Sequence, residues 1–223
     1  MFAHRLVLLI FAVLLLSFSC NRNSESTTAR LPYFSDSDFT PYWIDPKHPV
    51  DKTLHRVRGL SFANQYDEII DDSAVKGKIF VAGFFDLECK TFCLVINKNL
   101  QKVQSAFADD SDVLLLSHSI GRYNNTETLA YHAQKFKARE GKWHFLQGSK
   151  SKMSTITKKA YLADERMKLI EQPHREQHPE KVLLVDPAGH IRGVYSGTIA
   201  GDVQRIIDDI YILKKEYENV NYE

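Results

Sequence analysis

Two of the chain's three cysteines, Cys89 and Cys93, stand four positions apart in Phe-Phe-Asp-Leu-Glu-Cys-Lys-Thr-Phe-Cys, residues 84–93, just after an apolar run. Thiols at that spacing can close a structural disulfide, exchange disulfides with a partner, or hold a metal. The deprotonated sulfur is both the nucleophile and the ligand. At a helix N-terminus it sits among unpaired N–H groups and the positive end of the macrodipole, which favour the thiolate. Lys90 would push the same way, while Asp86 and Glu88 oppose it. Cys-x-x-Cys is the common exchange motif, whereas a gap of three residues sets the sulfurs one helical turn apart on one face. Two soft sulfurs side by side can clamp one soft cation, copper(I), or zinc where more ligands are present. Two cysteines do not complete such a site, so a further ligand must come from elsewhere. Of the nine histidines, His174 and His178 draw attention, because both lie in Glu-Gln-Pro-His-Arg-Glu-Gln-His-Pro-Glu, a polar stretch feeding a buried strand. Solvated loop histidines are the alternative reading of the same pair.

The elements around the cysteines are legible from periodicity. Residues 76–85, Lys-Gly-Lys-Ile-Phe-Val-Ala-Gly-Phe-Phe, carry a continuous apolar run after Gly77, the pattern of a strand covered on both faces. Phe92, Ile96, Leu100, Val103 and Phe107 then recur at steps of three and four, which predicts a helix from the cysteines to about Ala108. A second buried strand follows at Ser-Asp-Val-Leu-Leu-Leu-Ser-His-Ser, and a second helix opens at an Asn or Thr cap near residue 125. Lys-Trp-His-Phe-Leu predicts a short strand and residues 150–164 a weaker helix. Residues 181–197 read as a hairpin turning at Asp186-Pro187-Ala188-Gly189. A final helix from about Ala200 to Glu218 carries Val203, Ile206, Ile207, Ile210, Leu213 and Tyr217 on one face. Ahead of all this, residues 57–70 read as a hairpin turning at Asn64 to Asp67. The order fits an α/β chain with a thioredoxin-like three-layer α/β/α sandwich and an added N-terminal β-hairpin. His118, His132 and His144 fall within these elements and read as structural residues.

The chain of 223 residues is 43% hydrophobic and 11% aromatic, enough for one core. Lys and Arg total 29 against 28 for Asp and Glu, a balance with no nucleic-acid footprint. Residues 1–20 combine His4 and Arg5 with an apolar stretch from Leu6 to Leu16, too short to cross a bilayer, so they read as a secretory signal. The ending Leu-Leu-Ser-Phe-Ser-Cys resembles a bacterial lipoprotein processing site, which makes Cys20 the lipidated residue. Cys89 and Cys93 then remain as one pair in an oxidising compartment. Residues 21–52 read as a polar tether followed by an aromatic strap with Tyr33, Phe34, Phe39, Tyr42 and Trp43, and residues 53–223 as the domain. There is no Gly-rich phosphate loop and no Gly-x-Ser-x-Gly, which removes nucleotide and acyl-transfer chemistry.

From residue 54 to about 215 the chain resembles the SCO/SenC family of membrane-tethered, thioredoxin-fold copper chaperones, associated with assembly of the copper site of cytochrome c oxidase. The resemblance rests on Lys-Gly-Lys-Ile-Phe-Val-Ala-Gly-Phe-Phe before the cysteines, Leu-Leu-Leu-Ser-His-Ser-Ile, Trp-His-Phe-Leu-Gln-Gly, and His-Pro-Glu-Lys-Val-Leu-Leu-Val-Asp-Pro-Ala-Gly-His-Ile-Arg-Gly-Val-Tyr-Ser-Gly. A family histidine lies eleven residues before the glycine of the last hairpin turn, and counting back from Gly189 gives His178. The resemblance therefore implies copper bound by Cys89, Cys93 and His178, with His174 in reserve. It also implies a copper-acceptor partner, a cytochrome c oxidase subunit, and a domain held by lipid at a membrane on the periplasmic side.

The chain departs from the family at four positions. Lys90 and Leu94 replace the prolines that usually follow the cysteines, and Gly121 and Arg122 stand where Asp-Pro usually continues the second strand. The alternative activity for the same residues is thiol-disulfide exchange, with Cys89 attacking and Cys93 resolving the mixed disulfide.

Overall fold

A computed structural model describes residues 30–45, 48, 50–89, 91–121, 125–162 and 180–220. Its centre is built from the two apolar runs. Strand β3 (Ile79–Phe85) and strand β4 (Val113–Ser119) are buried at all seven positions each, and they pair in parallel with Val81 opposite Leu115 and Phe85 opposite Ser119. Ahead of them, β1 (Ser61–Ala63) and β2 (Ile69–Asp71) form the predicted hairpin, and a single turn, α1 (Asp72–Val75), is capped by the Asp71 carboxylate. Helix α2 (Phe92–Ala106) joins β3 to β4. Helix α3 (Thr126–Lys135) leads to β5 (Trp143–Leu146) and α4 (Lys150–Thr155), whose last turn widens into a π-helix over Ile156–Ala160. The hairpin of β6 (Lys181–Val185) and β7 (Ile191–Ser196) and the helix α5 (Ala200–Val220) complete the chain.

The main sheet has the order β5-β4-β3-β6-β7, with β3, β4 and β5 parallel and β6 antiparallel to both neighbours. Side chains alternate across β3 and divide the interior in two. Val81 and Phe85 face a core filled by Cys93, Ile96, Leu100 and Val103 of α2, Leu129 and Ala133 of α3, and Val203, Ile206 and Ile210 of α5. Phe80, Ala82 and Phe84 face a second core with Phe62, Ile70, Met153, Ile156 and Tyr161. This is the thioredoxin-like three-layer arrangement, with the small hairpin added to one face. Burying each large apolar side chain contributes about 1.5–3 kcal/mol, so the continuous runs of β3 and β4 dominate the fold.

Local signals set the boundaries. Asn125 caps α3 by accepting the Thr128 N–H at 2.8 Å, while Thr128 Oγ1 accepts the Asn125 N–H in return; such a cap contributes about 1 kcal/mol. In the β6–β7 turn Asp186 Oδ1 accepts the N–H groups of Ala188 and His190, and Gly189 supplies a φ of 89°. One expectation is corrected. The spacing puts Phe92 in the buried stripe of α2, yet Phe92 and Val95 are exposed. The stripe starts instead at Cys93 and continues through Ile96, Leu100 and Val103, since a helix presents only one such face to the sheet.

The strap packs along β7. Phe34 pairs with Ile191, and Tyr33 pairs with Tyr42 across the strap itself. Arg192 reaches it from the sheet, donating to the carbonyls of Leu31 at 2.7 Å and Pro32 at 3.0 Å, and its guanidinium lies 4.0 Å from the Tyr33 ring centre. Asp186 at 3.2 Å and Glu216 at 2.8 Å balance its charge. Trp43 is the aromatic exception, left exposed.

Candidate dithiol metal centre

The cysteines sit where β3 runs out at the edge of the first core. Asp86 begins a turn in which its carbonyl accepts the Cys89 N–H at 3.2 Å and its Oδ1 accepts the Glu88 N–H at 2.9 Å. Cys89 is thereby held just ahead of α2. The Thr91 side chain makes no capping bond to the helix. The sulfur of Cys89 takes that role, accepting the backbone N–H of Cys93 at 3.2 Å. A helix leaves its first four N–H groups without partners inside it, and here one of them is aimed at a thiol.

Both cysteines are buried, Cys89 at 6% exposure and Cys93 at 0%, and they are not bridged. The order of exposure is the one the exchange reading requires, although even the outer thiol is largely covered. Burial pushes the Cys93 thiol up to about 12. The backbone N–H of Asp86 bonds its sulfur and works against that rise, whereas the bond to Cys89 and the negative charges of Cys89 and Asp86 add to it. At Cys93, desolvation therefore outweighs the helix-terminus effect that the sequence suggests.

Asp86 is the residue that sequence reasoning undervalued. In the sequence it stands out only as a charge opposing the thiolate, but its amide, carbonyl and carboxylate all serve the cysteine turn. A signal was present, since Asp directly after a strand and before a turn commonly bonds its own backbone two residues on. Gly121, one of the family departures, lies against it: a methyl group at Gly121 would fall 2.9 Å from Asp86 Cγ and closer still to Oδ1. Leu94 is half-buried and packs against the first core. Lys90 and Arg122 lie outside the described residues, as do Cys20, His174 and His178.

The histidines within the elements are structural. His118 is fully buried, with Nδ1 3.3 Å from the Gly83 carbonyl and Nε2 3.2 Å from the Tyr161 hydroxyl, and desolvation lowers its pKa to about 4. His132 stacks on Phe85, bonds Asn97 at 3.0 Å, and is lowered to about 4, again mainly by burial. His144 bonds Asn64 at 3.2 Å. Among the described residues no group of three or more His, Cys, Asp or Glu could hold a metal.

The start of β6 belongs to the cysteine end of the sheet. Ala82 pairs with Leu183 in antiparallel register, so Lys181 lies toward the end of β3 that leads to Cys89. The Glu180 carbonyl accepts the Gly197 N–H at 2.7 Å. A methyl group at Gly197 would meet Ile96, one turn beyond Cys93, at 3.0 Å. Asn99 of the same helix donates to the Gly197 carbonyl at 2.8 Å, which fixes this corner to α2.

Comparison with known proteins adds the family. The SCO1/SenC family model matches residues 52–213. The crystal structure of a SCO1/SenC family lipoprotein from Bacillus anthracis str. Ames is 26% identical, with a TM-score of 0.62 over 74% of this chain and 99% of that one. The structure of BsSco, described as a member of the Sco family of cytochrome c oxidase assembly proteins with a disulfide switch, is 21% identical, with a TM-score of 0.58 over 72% and 95%. Arabidopsis thaliana ScoI, solved with copper bound, is 14% identical, with a TM-score of 0.57 over 72% and 99%. At 21% and 14% identity the last two show likeness of fold.

Proposed function

The chain belongs to the SCO1/SenC family, and from that premise we propose that it is a membrane-tethered copper chaperone that delivers copper to, or reduces the cysteines of, the copper site of cytochrome c oxidase. The family is associated with copper binding and with cytochrome c oxidase assembly. The observation that carries the reading is the contact of Cys93 N–H with Cys89 Sγ, which keeps two soft donors together in a buried corner. Thiolates select copper(I), and the pair suits it.

A third donor has to come from beyond the described residues, and His178 is the candidate, with His174 behind it. The nearest described residue, Glu180, is fastened beside α2 through Gly197, which supports the reading. Residues 1–20 would serve as the signal, Cys20 as the lipid attachment and residues 21–52 as tether and strap, with residues 53–223 as the domain on the periplasmic side. The Bacillus anthracis relative is described as a lipoprotein. Among the described residues no helix is long and apolar enough to cross a membrane.

Anaerobic titration of the purified protein with copper(I), against a competing chelator, tests this. One tight equivalent is expected, lost in a Cys89→Ser, Cys93→Ser variant and weakened in His178→Ala. The second reading, thiol-disulfide exchange, is favoured by the unequal burial of the two thiols, which suits attack by Cys89 and resolution by Cys93. It takes over if His178→Ala binds copper as the unmodified protein does while reduction of a test disulfide needs both cysteines.

A further inference from the structure

One residue bonds both cysteines. The Asp86 carbonyl accepts the Cys89 N–H, and the Asp86 N–H donates to Cys93. Its carboxylate closes the turn between them by accepting the Glu88 N–H at 2.9 Å. That carboxylate is seated against Gly121, at the end of the neighbouring strand, where Ile120 N–H to Phe85 carbonyl at 2.9 Å extends the β3–β4 ladder. Gly121 does not carry a left-handed φ. Its lack of a side chain therefore answers to space rather than to backbone conformation, and the space is occupied by Asp86.

We propose that Asp86 is a positioning residue for the Cys89–Cys93 pair, and that Gly121 is glycine in order to admit its carboxylate. The proposal rests on the reading of the two cysteines as the working pair, whether their task is copper binding or exchange. The carboxylate acts by geometry: it fixes the turn, the turn fixes Cys89, and Cys89 receives the N–H of Cys93 in the first turn of the helix. Asparagine can make the same turn, because its side-chain oxygen is an equivalent acceptor.

The test compares the unmodified protein with Asp86→Ala, Asp86→Asn, Gly121→Ala and the double variant Asp86→Ala, Gly121→Ala. The readout is the equilibrium with glutathione, in which the two thiols become one disulfide while glutathione disulfide becomes two glutathione thiols. A held pair closes more readily than a loose one. Asp86→Ala and Gly121→Ala should each lower the closing constant about tenfold, near the upper size of one lost hydrogen bond. Asp86→Asn should stay within about threefold of the unmodified protein, the conservative change restoring the geometry.

The double variant should match Asp86→Ala rather than multiply the two losses, since the methyl group then enters vacated space. Multiplied losses, an Asp86→Asn protein as impaired as Asp86→Ala, or an Asp86→Ala protein with an unchanged constant would each overturn the proposal. Because the readout needs no metal, absence of copper binding by the unmodified protein would count against the chaperone reading alone.

Discussion

Cys93 donates its backbone N–H to the sulfur of Cys89 at 3.2 Å. One thiol of the pair thus caps the helix that carries the other, and the integrity of α2 is tied to the chemistry of the site. Cys89→Ala should remove the acceptor, lower stability by about 1 kcal/mol as loss of a helix cap does, and abolish tight copper(I) binding. Urea unfolding and chelator competition on the same sample measure both.

The high pKa of Cys93 gives a directional pH dependence. Burial raises the folded thiol from its ordinary 9.0 to about 12, so the folded state favours the protonated form. Its contribution to stability is complete below pH 9 and is lost as the pH rises from 9 toward 12. Cys93→Ser should therefore show a flatter decline of the urea midpoint between pH 8.5 and 10.5. Copper binding must expel the same proton, so apparent copper affinity should rise as the pH is raised from 6 to 8.

His178→Ala should weaken copper(I) by about 10-fold or more, because two sulfurs alone leave the site short of a donor. His174→Ala should have the smaller effect. Equal losses in both variants would point to a shared role, and chelator competition distinguishes the cases.

His118 titrates with the opposite sense. Its folded pKa is depressed from 6.5 to about 4, chiefly by burial, so its contribution to stability is present above pH 6.5 and is lost as the pH falls toward 4. His132, also lowered to about 4, adds to the same decline. His118→Asn should flatten the fall in unfolding free energy between pH 6.5 and 4.5.

Arg192 offers a test far from the cysteines. Replacing it with Met leaves Asp186 and Glu216 buried without their cation and frees the Leu31 and Pro32 carbonyls. Removing one partner of a buried ion pair costs about 3–5 kcal/mol. Arg192→Met should lower stability on that scale and make the chain near residue 31 sensitive to limited proteolysis, while the copper(I) stoichiometry of the surviving folded protein stays unchanged.

The sequence by itself determined the order of the main elements, though not the single turn α1, because periodicity is a local property. The short apolar runs fit strands covered on both sides, and the three-and-four spacing after Cys93 fits a helix packed by one face. It also determined that the two cysteines sit at the junction of the two. Tertiary structure decided the environment of those sulfurs. That desolvation outweighs the helix terminus at Cys93, and that Asp86 rests on Gly121, depend on segments distant in sequence meeting in one corner. Hydrogen bonding and desolvation act over a few ångströms in space, and Asp86 and Gly121 come within that range only once β3 and β4 are paired.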